Sequence, residues 1–370
     1  MITALKRAWA NFRGFDLDGS TVPPMDGPLR PNAKLDAMPV LLELGEPDNL
    51  VGADGKIWCS QGDELLTLSL SSSADGAQRL DVTERRSLVA PITAMATTAG
   101  VLAIAVEGEG IVVDKSGTEQ FITPQGMPKS CITAMAFGDD ETLYVAVGSA
   151  HNAAGEWKRD LMTKYASGSV WRMGLKDGNA RQIAGDLAFP AGIAVSGETI
   201  FVSEAWRHRV RAINAEGRDE GFALAALPAY PGRIAPSASG GFWLAMFAPR
   251  NPLVEFVLKE NAYRTRMVDT IDPAYWIAPS LLAGSSFLEP IQGGTRKKLN
   301  MLKPWSPSFS TGLVVRCDGR MGMLRSYHSR ADGTVHGVTS LYEHGGTLLA
   351  GARGSGKIVA IEESTEQAAA

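Results

Sequence analysis

The sequence predicts an all-β chain, a six-bladed β-propeller, and three observations carry that prediction. The pentapeptide ITAMA occurs twice, starting at Ile92 and Ile132, 40 residues apart. Six segments share one grammar: PDNLVGADGKIWCS, PITAMATTAGVLAIAV, CITAMAFGDDETLYVAV, PAGIAVSGETIFVSEA, PGRIAPSASGGFWLAM and HGVTSLYEHGGTLLAG. Taking Leu50, Ile92, Ile132, Ile193, Ile234 and Val338 as anchors, the spacings are 42, 40, 61, 41 and 104 residues, so three sit near 41 and two read as 41 plus an insertion. A fixed period of this length is the mark of a repeat architecture.

Each segment begins with a short apolar strand, turns on Gly or Asp, and continues into a stronger strand. A third strand follows in most, at residues 65–70, 111–114, 169–173, 210–214 and 357–361. β-branched and aromatic residues fill these runs and Gly, Asp, Asn and Ser bound them. Four short antiparallel strands in about 40 residues make one blade, which buries its faces only against neighbouring blades. The recurring ITAMA run is then an innermost strand, with small residues where strands crowd at the axis. Residues 38–44 are expected to supply the outer strand of the last blade, closing the ring and removing two free edges. A β-sandwich or a pair of small β domains is the competing architecture, and six phased repeats argue against it. The chain reads as one domain, 1–370, with an N-terminal extension (1–35), the propeller (36–361) and a tail (362–370).

The two long spacings place insertions at 148–168, in blade three, and 249–311, in blade five. Strand order puts the loops between second and third strands, and those entering the innermost strand, at the same end of the channel. Both insertions should therefore form a lid over one mouth, and long loops on a rigid scaffold carry function. Trp157, Trp276 and Trp305 are candidate pocket walls, or else caps on the core. The stretch YWIAPSLLAGSSFLEP reads as a short apolar helix and loop.

Composition narrows the class. The chain has 370 residues, 45% hydrophobic and 21% charged, with net charge −4, which suits a globular protein and lacks the basic face of a nucleic-acid binder. Cys59, Cys131 and Cys317 cannot all pair and none lies in a CxxC spacing, so reduced thiols and a cytoplasmic location are expected. No signal peptide or membrane span is expected. The chain has no GxSxG elbow, phosphate loop or paired-cysteine motif.

The runs ASGSVWRM, LAFPAGIAVSGETIFVSEAWRHRV, LPAYPGRIAPSASGGFWLAM, STGLVVRCDG and VTSLYEHGGTLLAG resemble, in order and spacing, the strictosidine-synthase-like propellers, and more distantly the gluconolactonase (regucalcin-type) and paraoxonase propellers. The likeness spans roughly residues 48–361. In the lactonase branch it implies calcium held at the mouth by an acid in blade one and Asn, Asn and Asp two residues before later anchors. Here those positions are Asp48, Ala90, Ser130, Ala191, Gly232 and His336, with Glu46 a second choice for the acid. Calcium needs six to eight oxygens, so no lactonase-type calcium and no other cofactor is expected. In the strictosidine-synthase branch the resemblance implies a catalytic glutamate, and that position is Thr339.

The remaining mouth chemistry centres on Asp48 and His336, expected to face each other across the ring closure as a carboxylate–imidazole acid–base pair, with Arg233 as an anion or oxyanion fork. The plainer reading makes Asp48 a turn-former and His336 a satisfied turn residue. Asn49, His151, Trp157, Glu204, Trp206, His208, Trp276, Glu289, Gln292, Trp305 and His328 complete the candidate substrate-binding set. The histidines joined to Asp48 would suit a transition metal, but no HxH or HExxH spacing supports one. Three functions compete: a small-molecule hydrolase of a lactone or related ester, a metal-independent enzyme making or breaking C–C or C–N bonds, and a non-catalytic propeller that binds a ligand or protein.

Overall fold

The computed structural model describes residues 22–72, 76–284, 289, 297–298, 301–302 and 309–362. It holds six four-stranded antiparallel sheets. From the axis outward, blade one is Asp48–Ala53, Lys56–Gln61, Glu64–Ser72 and Gln78–Ser87. Blades two, three and four begin with inner strands Ile92–Thr98, Ile132–Asp139 and Pro190–Ser196. Blade five runs Ala229–Pro236, Phe242–Pro249, then Leu313–Cys317 and Met323–His328 after its long insertion. Blade six is Val338–His344, Thr347–Ala352 and Lys357–Glu362, and its outer strand is the N-terminal Val40–Glu43, paired antiparallel to Lys357–Glu362. The ring is thus closed by the chain's two ends, as the sequence predicts.

The inner strands touch in ring order, one to six and back to one. Between each neighbouring pair of blades the described residues form one buried apolar cluster. Alternate faces of each strand supply these clusters, so both faces of a blade are used and each fully buried Leu or Ile contributes roughly 1.5–3 kcal/mol. Residues 22–39 belong to this packing: Leu29 enters the cluster between blades four and five, and Leu35 the one between five and six. Among the described residues no helix is long and apolar enough to cross a membrane.

A seventh cluster lies under the lid. The blade-three insertion forms the helix Trp157–Thr163. The blade-five insertion forms Pro252–Lys259 and Asn261–Thr270, earlier than expected, while residues 276–284 are not helical. Asn251 caps the first of these by accepting the Leu253 N–H at 2.8 Å, and Pro252 follows at the position where a missing N–H costs nothing. Val254, Val257 and Leu258 then share one buried stripe, which packs with Leu161 and Met162.

Candidate functional site

Every inner strand has a break in its ladder near the mouth: between Asp48 and Val51, Ile92 and Ala94, Ile132 and Ala134, Pro190 and Gly192, Pro231 and Ile234, and Val338 and Ser340. A bulge leaves residues unpaired and re-aims them. The residues in or beside these breaks, Asp48, Thr93, Thr133, Ala191, Gly232 with Arg233, and Thr339, all line one cavity of about 430 Å³ at the mouth. This ring shifts part of the expected alignment. In blades two, three and six the anchor precedes the break, so the mouth positions are Thr93, Thr133 and Thr339, not Ala90, Ser130 and His336.

Asp48 is the centre of the charged side. Asn49 beside it is left-handed, at φ 54°, a conformation Asn tolerates. Three donors converge on Asp48 Oδ1: the Asn49 N–H at 2.9 Å, Arg233 Nη1 at 2.6 Å and the Thr339 hydroxyl at 2.9 Å. Oδ2 is far less engaged, with Arg353 Nη1 at 3.5 Å. Burial would raise the Asp48 pKa, but the Arg233 and Arg353 guanidiniums, with the Asn49 and Thr339 donors, outweigh it and hold the carboxyl below its usual range. Arg353 also binds Glu46 at the rim, at 2.9 and 3.1 Å.

Arg233 crosses the axis from blade five. Its Nη1 also donates to Thr339 O at 3.2 Å, and Nη2 to Asn49 Oδ1 at 2.5 Å and Thr93 O at 2.9 Å. The calcium that the resemblance implies does not fit these residues. Of the inner-strand positions only Asp48 is a carboxylate; Glu46 and Glu107, which also line the cavity, are taken up by Arg353 and by backbone N–H groups, and the oxygens that face the axis already receive a cationic guanidinium. No three His, Cys, Asp or Glu residues converge among the described residues, so the histidines and Asp48 do not form a transition-metal donor set there.

The expected Asp48–His336 pair is not formed. His336 is buried, with Nδ1 2.7 Å from Ser310 Oγ and Nε2 3.0 Å from Gly333 O, so both ring nitrogens are engaged away from Asp48. Burial pushes its pKa down despite those partners. His336 precedes the blade-six strand break, and Thr339, three residues on and inside it, is the blade-six neighbour of Asp48.

Trp157 and Trp206 do line the mouth, joined by Phe189 and Phe247. Trp206 stacks on Phe189 with centroids 4.7 Å apart and lies 6.3 Å from Trp157, while its Nε1 donates to Asp160 at 2.8 Å. Such rings bring large apolar area with a polar handle. Asn49 is buried at the axis, its Nδ2 donating to Ser60 Oγ at 2.7 Å.

The other candidates stand elsewhere. Glu204 is fully buried and clasps the Ala188 N–H, Arg207 and Arg209. His208 is buried behind the wall, its ring 5.0 Å from that of Tyr230, and burial followed by Arg250 drives its pKa well down. His151 is exposed, edge-on to Tyr165. Trp276 is buried, donating to Ile271 O at 2.9 Å and carrying Arg159 over its ring, on a cavity next to the mouth that shares Glu46, Trp157, Leu281 and Arg353 with it. His328 is buried at the end of blade five's outer strand, on a separate cavity of about 930 Å³, 2.9 Å from Ser326 Oγ, with its pKa pushed down to about 4 by burial. Glu289 accepts the Gly284 N–H at 2.8 Å. Gln292 and Trp305 lie outside the described residues.

Sequence reading missed Arg353, Phe189, Phe247 and Glu107. Glu107 lines the mouth and accepts the Cys131 N–H at 3.1 Å and the Ala154 N–H at 3.3 Å, tethering the blade-three insertion. Glu107 and Arg353 come first after their second strands, in the turn where blade four carries Ala205 and then Trp206, and that shared turn was the available signal.

No family model matches the chain, and no curated protein does. Solved structures match by shape. A gluconolactonase from Xanthomonas campestris superposes with a TM-score of 0.51 at 12% identity, over 86% of this chain and 87% of that one. A luciferin-regenerating enzyme gives 0.51 at 8% identity, over 87% and 93%. The calcium-binding regucalcin of Agrobacterium tumefaciens gives 0.48 at 12%, over 85% and 84%. At such identities the likeness is one of fold: the chain shares the six-bladed propeller of the gluconolactonase-like proteins.

Proposed function

We propose that this protein is a small-molecule hydrolase acting on a lactone or related ester in the mouth cavity. The observation that carries this reading is the asymmetry of Asp48. Three donors fix Oδ1 and keep the carboxyl ionised, while Oδ2 stands beside Arg353 at the edge of the cavity. In the proposed reaction Oδ2 accepts a proton from water as the water oxygen attacks the substrate carbonyl. Arg353 stabilises the oxyanion that forms. When the tetrahedral intermediate collapses, the C–O bond to the leaving oxygen breaks and Asp48 returns the proton to it. The wall of Trp157, Trp206, Phe189 and Phe247 holds the apolar part of the substrate. The gluconolactonase fold match supports the class of protein, and the site geometry supports the roles.

The test is turnover of a panel of aliphatic lactones and aryl esters by wild type and Asp48→Asn. The expected outcome is at least a ~100-fold loss in kcat in the variant, the usual scale for a lost general base, with ligand binding retained. Wild-type rates in Asp48→Asn, or a wild type that binds these compounds and turns over none, would sink the hydrolase reading; the second result would make the propeller a binding module.

A second reading, condensation of an amine with an aldehyde, draws on one contact. Thr339, at the position where the strictosidine-synthase resemblance implies a glutamate, donates to Asp48 at 2.9 Å, so a carboxylate from blade one reaches the neighbourhood of that position. Adding amine and aldehyde pairs to the same panel separates the two.

A further inference from the structure

We infer that the guanidinium of Arg233 is the propeller's own axial cation, holding oxygens from three other blades so that the channel is closed there and no divalent ion is taken up. The inference concerns the axis; it shares the Arg233–Asp48 contact with the hydrolytic reading, but its readout is stability rather than turnover.

Four oxygens meet this one group. Asp48 and Asn49 come from blade one, Thr93 O from blade two and Thr339 O from blade six, while Arg233 belongs to blade five. The two carbonyls belong to residues in the ladder breaks of their strands, which have no partner residue on the second strand. The orientation of the Asn49 amide is set independently: its Nδ2 donates to Ser60 Oγ at 2.7 Å and to Ile92 O at 3.3 Å, which leaves Oδ1 facing the axis. A set of inward oxygens with one carboxylate demands a positive partner. A planar fork with fixed donors meets four oxygens in different directions better than a point charge does, and calcium would find too few ligands.

The position of the group supports the same conclusion. Arg233 lines both the mouth cavity of about 430 Å³ and a second cavity of about 510 Å³ that runs along the inner strands from Asn49, Thr97 and Phe137 to Tyr342. It is a partition in the channel. The backbone that carries it is fixed as well, because Ser203 Oγ donates to Gly232 O at 2.7 Å.

The test is chemical rescue. Arg233→Ala should melt below wild type, and guanidinium chloride at low millimolar, far from denaturing, should raise its Tm saturably while sodium chloride at equal ionic strength does not. Wild type should show no such shift. Arg233→Gln, which keeps donors without charge, should also melt low, and Arg233→Lys should fall between. If Arg233→Ala does not fold, the Gln and Lys variants carry the test. A folded Arg233→Ala that guanidinium fails to rescue, or Arg233→Gln as stable as wild type, overturns the inference. So does a calcium-dependent rise in wild-type Tm that Asp48→Asn abolishes. Because the readout is stability, a protein without hydrolytic activity that still shows rescue would sink the enzyme proposal and leave this one standing.

Discussion

The two sides of the mouth are built on different principles. On blades one, two, five and six, short strand breaks aim Asp48, Thr93, Arg233 and Thr339 at the axis, and hydrogen bonds of 2.5–3.2 Å lock them together. On blades three to five, the wall is made of rings held by insertions: Trp157 on its helix, Trp206 in a turn, and Phe247 under the Pro252–Lys259 helix. One side is set by the sheet and fixes charge; the other is set by packing and fixes shape. Substitutions on the charged side should therefore act on kcat, and those on the ring side on KM and on the stability of the lid.

Trp206→Ala should break the ring side most. It removes stacking on Phe189 and takes the indole N–H from Asp160, which is only 1% exposed. A loss of about 3 kcal/mol is expected, in line with truncation of large aromatic residues, together with a raised KM and a smaller change in kcat. Denaturant titration and steady-state rates check it. Trp206→Phe should recover much of the stacking but not the hydrogen bond, so a variant as stable as wild type would show that the Asp160 contact contributes little.

Gly192→Ala tests how rigidly Arg233 is seated. A Cβ at residue 192 would meet Gly232 O at 2.2 Å and the Arg233 Cα at 2.8 Å. Blades four and five approach this closely only because residue 192 has no side chain. Overpacking of backbone on backbone should cost roughly 1–3 kcal/mol, and the displaced Arg233 should loosen Asp48, so kcat should fall with stability.

The smallest effect at neutral pH is expected from a histidine that lies off the mouth cavity. Burial lowers the His328 pKa from 6.5 to about 4. The unfolded chain therefore binds a proton at higher pH than the folded one, and stability should decline as pH falls from 6.5 toward 4. His336 and His208 are shifted in the same direction. His328→Gln should flatten part of that decline in thermal scans without altering kcat at neutral pH. An unchanged profile would mean that His328 protonates normally in the folded protein.

Much of the fold was legible because a propeller repeats its signals. The inner strands, the blade-five third strand at Leu313–Cys317 and the closure by Val40–Glu43 all follow from phase and alternation. The site was less legible, because a bulge is a one- or two-residue event that leaves the apolar pattern almost intact. Leu50, Ile193 and Ile234 lie after their breaks or inside them, whereas Ile92, Ile132 and Val338 lie before theirs. Counting from the anchors thus found Asp48, Ala191 and Gly232 but substituted His336 for Thr339. The helices at Pro252–Lys259 and Asn261–Thr270 were missed although Asn251–Pro252 is a readable start signal. What no pattern could show is that Arg233 would reach across the axis, since that depends on where three other strands break.

A crystal structure grown in millimolar calcium tests the central claim most directly. The account predicts planar side-chain density for Arg233 at the axis, within hydrogen-bonding distance of Asp48 Oδ1, Asn49 Oδ1, Thr93 O and Thr339 O. A spherical peak ringed by those oxygens, with Arg233 swung out of the channel, would contradict it.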